Sequence, residues 1–563
     1  MPTPPTRRAL TVTATACVVV MLALAAPAMS VDDLPRASRD DWIEVRSPNF
    51  TFVSQAGERL TERLAVELEE LHSVLSRLAG GSLKDPVPTT IFIFERSRDF
   101  DEYVYRRNDE PVSASGYFLG REETNRIAID ASRRDQATGV VFHEFTHEVL
   151  SVRLPGLPLC LEEGLAELYQ TFRITDDGAE IGRPIDHHLA RLADRGLMPI
   201  DALLAVDKRS PMYTETSRQG DFYAQSWALT HMLLLGDDEL AAATRGFFEQ
   251  VRRTGRPVAL FRSTYGPDFS VLDERLREYV QRRTFRFVRI PVQPDGIEIS
   301  GVTDLSPAEV LERLGELLAL QDPPHPAANA HLVAAVERDP SSGRALSAQA
   351  LLAEDRARWG EARDLHDRAV AARTDDPVVL FRRARFDLAR HTQVERAAHD
   401  LERCTRLDPG YGPCWARLAE ALLNLDRIGP EAVRAAATGY RLLPDRPDVS
   451  ANLFELLVRT DRFDDASNLI DVLEERRPND ARSARARLAE ARLRRARELV
   501  IEDRLDDARR EVAQAARLIP DAARSSSLEA RVTSVSAAIE RRRLQDRLIE
   551  ARRLLDAGDP DAA

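Results

Sequence analysis

Residues 140–147 read Val140-Val141-Phe142-His143-Glu144-Phe145-Thr146-His147, and this stretch decides the fold of the first part of the chain. Residues four apart on a helix share one face, so His143 and His147 present both imidazoles to one point. Two imidazoles at that spacing can share a Zn²⁺, and Glu144 on the same rim can take a proton from water at the metal. Apolar residues before the motif, and Val149 and Leu150 after it, make this a partly buried helix. Two His in such a setting need partners, and a metal supplies one. The chain has only 11 His, which makes a chance coincidence rare.

A catalytic zinc takes three protein ligands and keeps one open position. The third ligand is sought in Leu161-Glu162-Glu163-Gly164-Leu165-Ala166-Glu167, where fifteen residues separate His147 from Glu163. That span accommodates a helix end, a turn broken by Pro155 and Pro158, and re-entry on a second helix. Glu162, Glu163 and Glu167 are the carboxylates available. Glu-Gly-x-Ala on that helix resembles the segment after the zinc helix in gluzincin metallopeptidases of the peptidase MA-like group. The resemblance covers roughly residues 45–285 and implies that Glu163, before the glycine, binds zinc together with His143 and His147. Glu167, one turn on, is placed to orient a ligand His. The separation is somewhat shorter than in that clan's aminopeptidases, and Cys160 stands where an aromatic is common. Tyr223, opening a helix as Tyr223-Ala224-Gln225-Ser226-Trp227, is the oxyanion-stabilising candidate, with Tyr213 on a polar loop in reserve. His187-His188 reads as a surface pair before a helix.

The surroundings alternate strand and helix. Phe50–Ser54 alternates like a strand, and Leu60, Leu64, Leu68, Leu71, Leu75 and Leu78 mark a helix over Glu58–Leu78. Val87–Phe94 is a β-branched and aromatic run, hence a buried strand. Ser115–Leu119 and Arg126–Ile129 flank a polar turn and form a hairpin at a sheet edge. The hairpin resembles the edge strand that aligns an extended substrate in the same peptidases. Helix is expected from Asp135 to about Val152, and mainly helix from about 190 to 285. Pro291–Gly301 is the best linker.

Beyond residue 306 the chain becomes rich in Ala, Leu and Arg. Pro340, Pro377, Pro409, Pro444, Pro478 and Pro520 recur 32 to 42 residues apart, and a period near 34 is the tetratricopeptide length. Phe381, Ala384, Leu388, Ala397, Leu401, Cys404 and Pro409 recur as Ser450, Leu453, Leu457, Ala466, Ile470, Leu473 and Pro478. Small residues sit where paired helices approach closely. The array is similar to tetratricopeptide repeats.

Composition sets the remaining bounds. A chain of 563 residues exceeds one core. A net charge of −13 argues against a nucleic-acid partner. Arg7-Arg8, an apolar run from Cys17 to Ala26, and small residues to Ser30 have the layout of a secretory signal peptide. No later stretch is long and apolar enough to span a bilayer, so a membrane anchor requires that the signal be retained. Cys160, Cys404 and Cys414 make no disulfide framework, and packing is the favoured role for each, although Cys404 and Cys414 flank one turn and could pair in an oxidising compartment.

The expected organisation is a signal peptide (1–30), an α+β zincin-like metallopeptidase domain (31–290), a linker (291–305) and an all-α tetratricopeptide-type solenoid (306–563). The expected function is a periplasmic or secreted zinc metallopeptidase of peptide or protein substrates, using Glu144 as base, with repeats that bind a protein partner. The alternative is an envelope interaction scaffold whose zinc-binding, peptidase-like domain is weakly active or inactive. Every assigned site residue precedes the linker, so a chain ending near Val292 is expected to keep zinc and cleave short peptides.

Overall fold

The computed structural model describes residues 34–78, 86–107, 110–111, 114–254, 257–291, 297–373, 375–518 and 526–556. The expected signal peptide and Pro520 lie outside them. Strands β1 (Ile43–Arg46), β2 (Phe50–Ser54), β3 (Thr89–Phe94), β4 (Gly116–Gly120), β5 (Asn125–Asp130) and β6 (Thr303–Asp304) form one sheet, ordered β6-β1-β2-β3-β5-β4. β2, β3 and β5 run parallel, while β4 folds back on β5 as the outer strand, giving the expected edge hairpin.

Side chains alternate across the pleat, and here both faces are apolar. Ile91, Ile93, Ile127 and Ile129 pack under helices α1 (Glu58–Leu78) and α2 (Ala137–Arg153) through residues such as Leu64, Leu68, Val141 and Phe145. Phe92, Phe94 and Ala128 point the other way, into a cluster with Val310, Leu311, Leu314, Leu317 and Leu318 of the helix Pro307–Ala319. The first helix of the array thus covers the outer face of the sheet.

This overturns the expected linker. Ser300 donates its N–H to the Arg46 carbonyl at 2.8 Å, and Thr303–Asp304 pairs with Ile43–Glu44 as β6. Two residues later Ser306 and Glu309 close a capping box that starts the helix. The α+β part and the array are joined through a common core, and a chain cut near Val292 would leave the outer face of the sheet bare.

After α2 come α3 (Leu159–Tyr169), α4 (Asp186–Arg195) and the long α5 (Thr216–Leu235). α3 and α5 cross at Gly164, where a Cβ would stand 2.1 Å from Thr230 Oγ1 and 2.3 Å from the Ser226 carbonyl. Glycine here lets the helices touch by their backbones.

The array then stacks antiparallel helix pairs, among them Pro377–Ala389 with Val394–Leu407, Gly412–Asn424 with Pro430–Leu442, and Pro447–Arg459 with Phe463–Arg476. Ala384, Ala397 and Ala466 are buried at the close approaches, as the register predicts. The tight turn inside successive pairs places Ala357, Gln393, Asp426, Asp461 and Asp503 at positive φ. Cys404 and Cys414 are joined as a disulfide across the turn between two pairs, in place of the simple packing role favoured for them. No helix among the described residues is long and apolar enough to cross a membrane.

Candidate functional site

α2 carries His143 and His147 one turn apart, and α3 brings Glu163 against them from the side. The two Nε2 atoms are 3.2 Å apart, and Glu163 Oε2 lies 3.3 Å from that of His143 and 3.4 Å from that of His147. Zinc–nitrogen distances of about 2.0–2.1 Å in a tetrahedron set ligand atoms roughly 3.3–3.4 Å apart. Glu163 Oε2 is buried and takes no hydrogen bond. A cation at the centre would satisfy all three atoms, so the donor set fits a divalent ion such as zinc. These are also the residues that stand close enough to share one ion among those described. Glu162 is half-exposed on the cleft wall and outside this cluster.

Electrostatics follow from the crowding of acids and imidazoles in a buried site. Burial disfavours the charge on Glu163, yet His147 and His143 hold its carboxyl far below the usual range. Burial likewise opposes charge on His143, but Glu163, Glu167 and Glu144 outweigh it and push the ring up to about 9. Burial raises the Glu144 carboxyl, His143 and His147 oppose the shift, and Glu163 and Glu167 reinforce it. A raised carboxylate is the stronger base. Gly116 of β4 sits on this group: a Cβ there would lie 3.0 Å from Glu144 Cγ and 2.7 Å from Val140 Cγ1.

Behind the cluster, Glu167 Oε1 is 3.7 Å from His143 Nδ1, and its Oε2 meets His188 Nε2 at 2.8 Å. Gln170 also donates to that oxygen. His188, expected on the surface, is buried in the first turn of α4, whereas His187 is exposed. Sequence reasoning missed His188 because nothing local marks which of the two faces the core.

The Tyr213 hydroxyl, on the short helix Pro211–Thr214, donates to Glu163 Oε1 at 3.2 Å. The Tyr223 ring stands 6.3 Å from the His143 ring, and Gln219 donates to its hydroxyl at 3.2 Å. Burial, then the Glu163 charge, pushes both phenols above their ordinary range, which keeps them protonated and able to donate. Cys160 is wholly buried, burial pushes its thiol up to about 12, and it stands outside the group of His143, His147 and Glu163.

The cluster lies in a cleft of ≈ 1990 Å³ walled on one side by α2 and β4 and on the other by the array, at Leu442–Pro447 and Arg477–Asp480.

Comparisons with known proteins speak for the array. Residues 430–489 match the tetratricopeptide repeat family model, and the chain carries these repeats. No curated protein matches the chain. Among solved structures it is similar to PilF of Pseudomonas aeruginosa (23% identity over 38% of this chain and 92% of that one, TM-score 0.29). It is also similar to the Sgt2 repeat domain of Aspergillus fumigatus (24% identity, 22% and 83%, TM-score 0.20) and to yeast Tom70 (14% identity, 76% and 90%, TM-score 0.23).

Proposed function

We propose that the chain is an exported zinc metallopeptidase with a zincin-like catalytic domain, whose repeats engage protein. The observation that supports it best is the convergence of His143, His147 and Glu163 at tetrahedral spacing around an unsatisfied carboxylate oxygen, with Glu144 beside them. Zinc held there would act as a Lewis acid on a scissile carbonyl. Glu144 would accept a proton from the attacking water and return it to the leaving amine. Tyr223 or Tyr213 would donate to the carbonyl oxygen as charge gathers on it. The free edge of β4 suits a substrate in extended form. The Cys404–Cys414 bridge accords with an oxidising compartment such as the periplasm. Stacked helix pairs present a concave surface suited to a protein partner.

Zinc analysis with a peptide-library cleavage assay tests the reading. Wild type should carry one zinc and cleave. Glu144→Gln should keep the zinc and lose about 10²–10⁴ in rate. Undiminished cleavage by that variant would show that Glu144 is not the base.

The family match favours a second reading, because it falls wholly within the repeats. The chain would then be an envelope interaction scaffold whose peptidase-like domain binds zinc with little turnover. Zinc-loaded wild type that cleaves no peptide or amide, yet retains protein partners through the array, would establish it.

A further inference from the structure

We infer that the repeat array is part of the substrate site: it pins the edge hairpin and walls the far side of the cleft, so the substrate is an extended polypeptide segment lying between β4 and the array. The inference rests on the peptidase reading of the metal cluster, which it deepens by naming what positions the substrate.

The loop joining β4 to β5 is held from several repeats at once. Arg121 donates to the Leu320 carbonyl, Arg382 to Glu123 at 3.2 Å, and the Tyr411 hydroxyl to the Glu123 carbonyl at 2.8 Å. Glu122 takes Arg417 at 2.6 Å and Arg446 at 3.1 Å. These anchors come from four helix pairs of the array, three of them successive, and meet on one short turn. The other end of β4 rests on Glu144 through Gly116. Fixing the turn therefore fixes the strand that borders the reacting centre.

Among the described residues β4 pairs only with β5, and its second edge is turned to the cleft, which buried Gly116, half-buried Phe118 and exposed Gly120 line. Opposite stand Leu443, Arg446 and Asn479 of the array. The cavity of ≈ 1990 Å³ is about twice the upper end of the ~300–1,000 Å³ usual for small-molecule sites. A volume of that size beside a free strand edge fits a polypeptide adding as a further strand, with main-chain hydrogen bonds supplying affinity. Glu122 and Arg446 are positioning residues in this scheme, because they act through β4 and the wall without reaching the reacting atoms.

The test uses the full chain, zinc-loaded, with internally quenched peptides of about four and about twelve residues sharing one central sequence, the longer spanning roughly 40 Å when extended. The ratio of kcat/KM, long over short, should exceed unity in wild type and fall about fivefold or more in Glu122→Gln, the equivalent of one lost main-chain hydrogen bond. Asn479→Trp, at an exposed position, should lower the same ratio by crowding the outer wall. A ratio unchanged in both variants, with zinc content intact, overturns the inference. If wild type cleaves neither peptide, fluorescence polarisation on the zinc-loaded protein reads the same ratio as affinities. Length-dependent binding without turnover sinks the peptidase reading and upholds the groove, whereas equal affinity for both lengths overturns the groove itself.

Discussion

Two clusters of buried charge lie on either side of the central sheet. Between the outer face and the array, Glu316 is paired with Arg126 at 3.0 Å and Arg382 at 2.7 Å, and Arg382 with Glu123 at 3.2 Å. Two guanidinium groups and two carboxylates balance, and the arginines keep the Glu316 carboxyl far below its usual range against the cost of burial. On the inner side, His143 Nε2, His147 Nε2 and Glu163 Oε2 face one another at 3.2 to 3.4 Å, and Glu163 Oε2 takes no hydrogen bond. The first cluster balances its own charge, although Glu316 Oε1, Arg126 Nε and both Arg382 Nη atoms lack a hydrogen bond, whereas the second sets three potential metal donors around one point. Neither buried charge nor an unsatisfied atom by itself marks a functional site; the second cluster differs in having donors spaced to share one ion.

The largest expected effect separates the two sides by cutting the chain. Ending it at residue 292 removes β6 and the helix that covers Trp42, Phe92, Phe94, Phe100, Tyr103 and Tyr117. Each large side chain buried is worth about 1.5–3 kcal/mol, and a domain's net stability is only about 5–15 kcal/mol. The truncated chain should melt without cooperativity, while one ending at Leu407, which keeps the ion network, should unfold in a sharp transition. A folded, zinc-binding chain of 292 residues would show that the outer face needs no cover.

Single substitutions sharpen the contrast. Glu316→Ala strands two buried arginines and should cost about 3–5 kcal/mol in urea unfolding, with zinc stoichiometry unchanged in the folded fraction. Glu163→Gln should act chiefly on the metal: zinc affinity falls sharply, while the metal-free protein, which loses the pairing of Glu163 with His143 and His147, is destabilised less than by Glu316→Ala. If both variants lose stability alike, the two clusters are alike in kind. If Glu162→Gln, and not Glu163→Gln, releases the metal, the carboxylate has been misassigned.

Acid should loosen the outer side specifically. Burial holds the His325 and His331 rings down at about 4, against an ordinary 6.5, and His331 shares a 2.9 Å hydrogen bond with Tyr103 across the junction. The unfolded chain takes up these protons first. Their contribution to stability is whole above pH 6.5 and drains as pH falls through 6.5 toward 4, reaching roughly 3 kcal/mol for His331. The melting temperature should drop over that window, and His331→Gln should flatten the drop. A wild-type profile identical to that of the variant would remove His331 as a cause.

Much of the metal cluster was legible in sequence because its signals are local. A one-turn spacing sets His143 beside His147, and Gly164 marks where α3 must touch α5, which aims the preceding Glu163. The junction with the array was not legible, since its partners are separated by about 190 to 320 residues, as Arg126 is from Glu316 and Glu122 from Arg446. One hint was present. In Ile91-Phe92-Ile93-Phe94 both parities are apolar, which requires two covered faces, yet α1 and α2 can cover only one. The hairpin turn read as merely polar because charges that meet distant partners look like solvated ones.

The smallest expected effect tests how far the inner cluster depends on its support. His188 makes no contact with the three ligand atoms; it holds Glu167 Oε2 at 2.8 Å, and Glu167 Oε1 faces His143 Nδ1 at 3.7 Å. A carboxylate behind a ligand imidazole fixes the ring's tautomer and direction and raises its basicity, and losing such support costs about 10- to 100-fold in metal affinity. His188→Ala should therefore weaken zinc by about tenfold, the lower end, because Gln170 still donates to Glu167. Glu167→Gln should weaken it further, since it removes the charge itself. Competition with a zinc chelator gives both numbers, and the melting temperature of the metal-free proteins separates lost support from lost packing. An affinity untouched by His188→Ala but reduced by Glu167→Gln would leave Glu167 as the sole support and return His188 to the ranks of ordinary buried histidines. The reverse order would mean that His188, not Glu167, governs the orientation of His143.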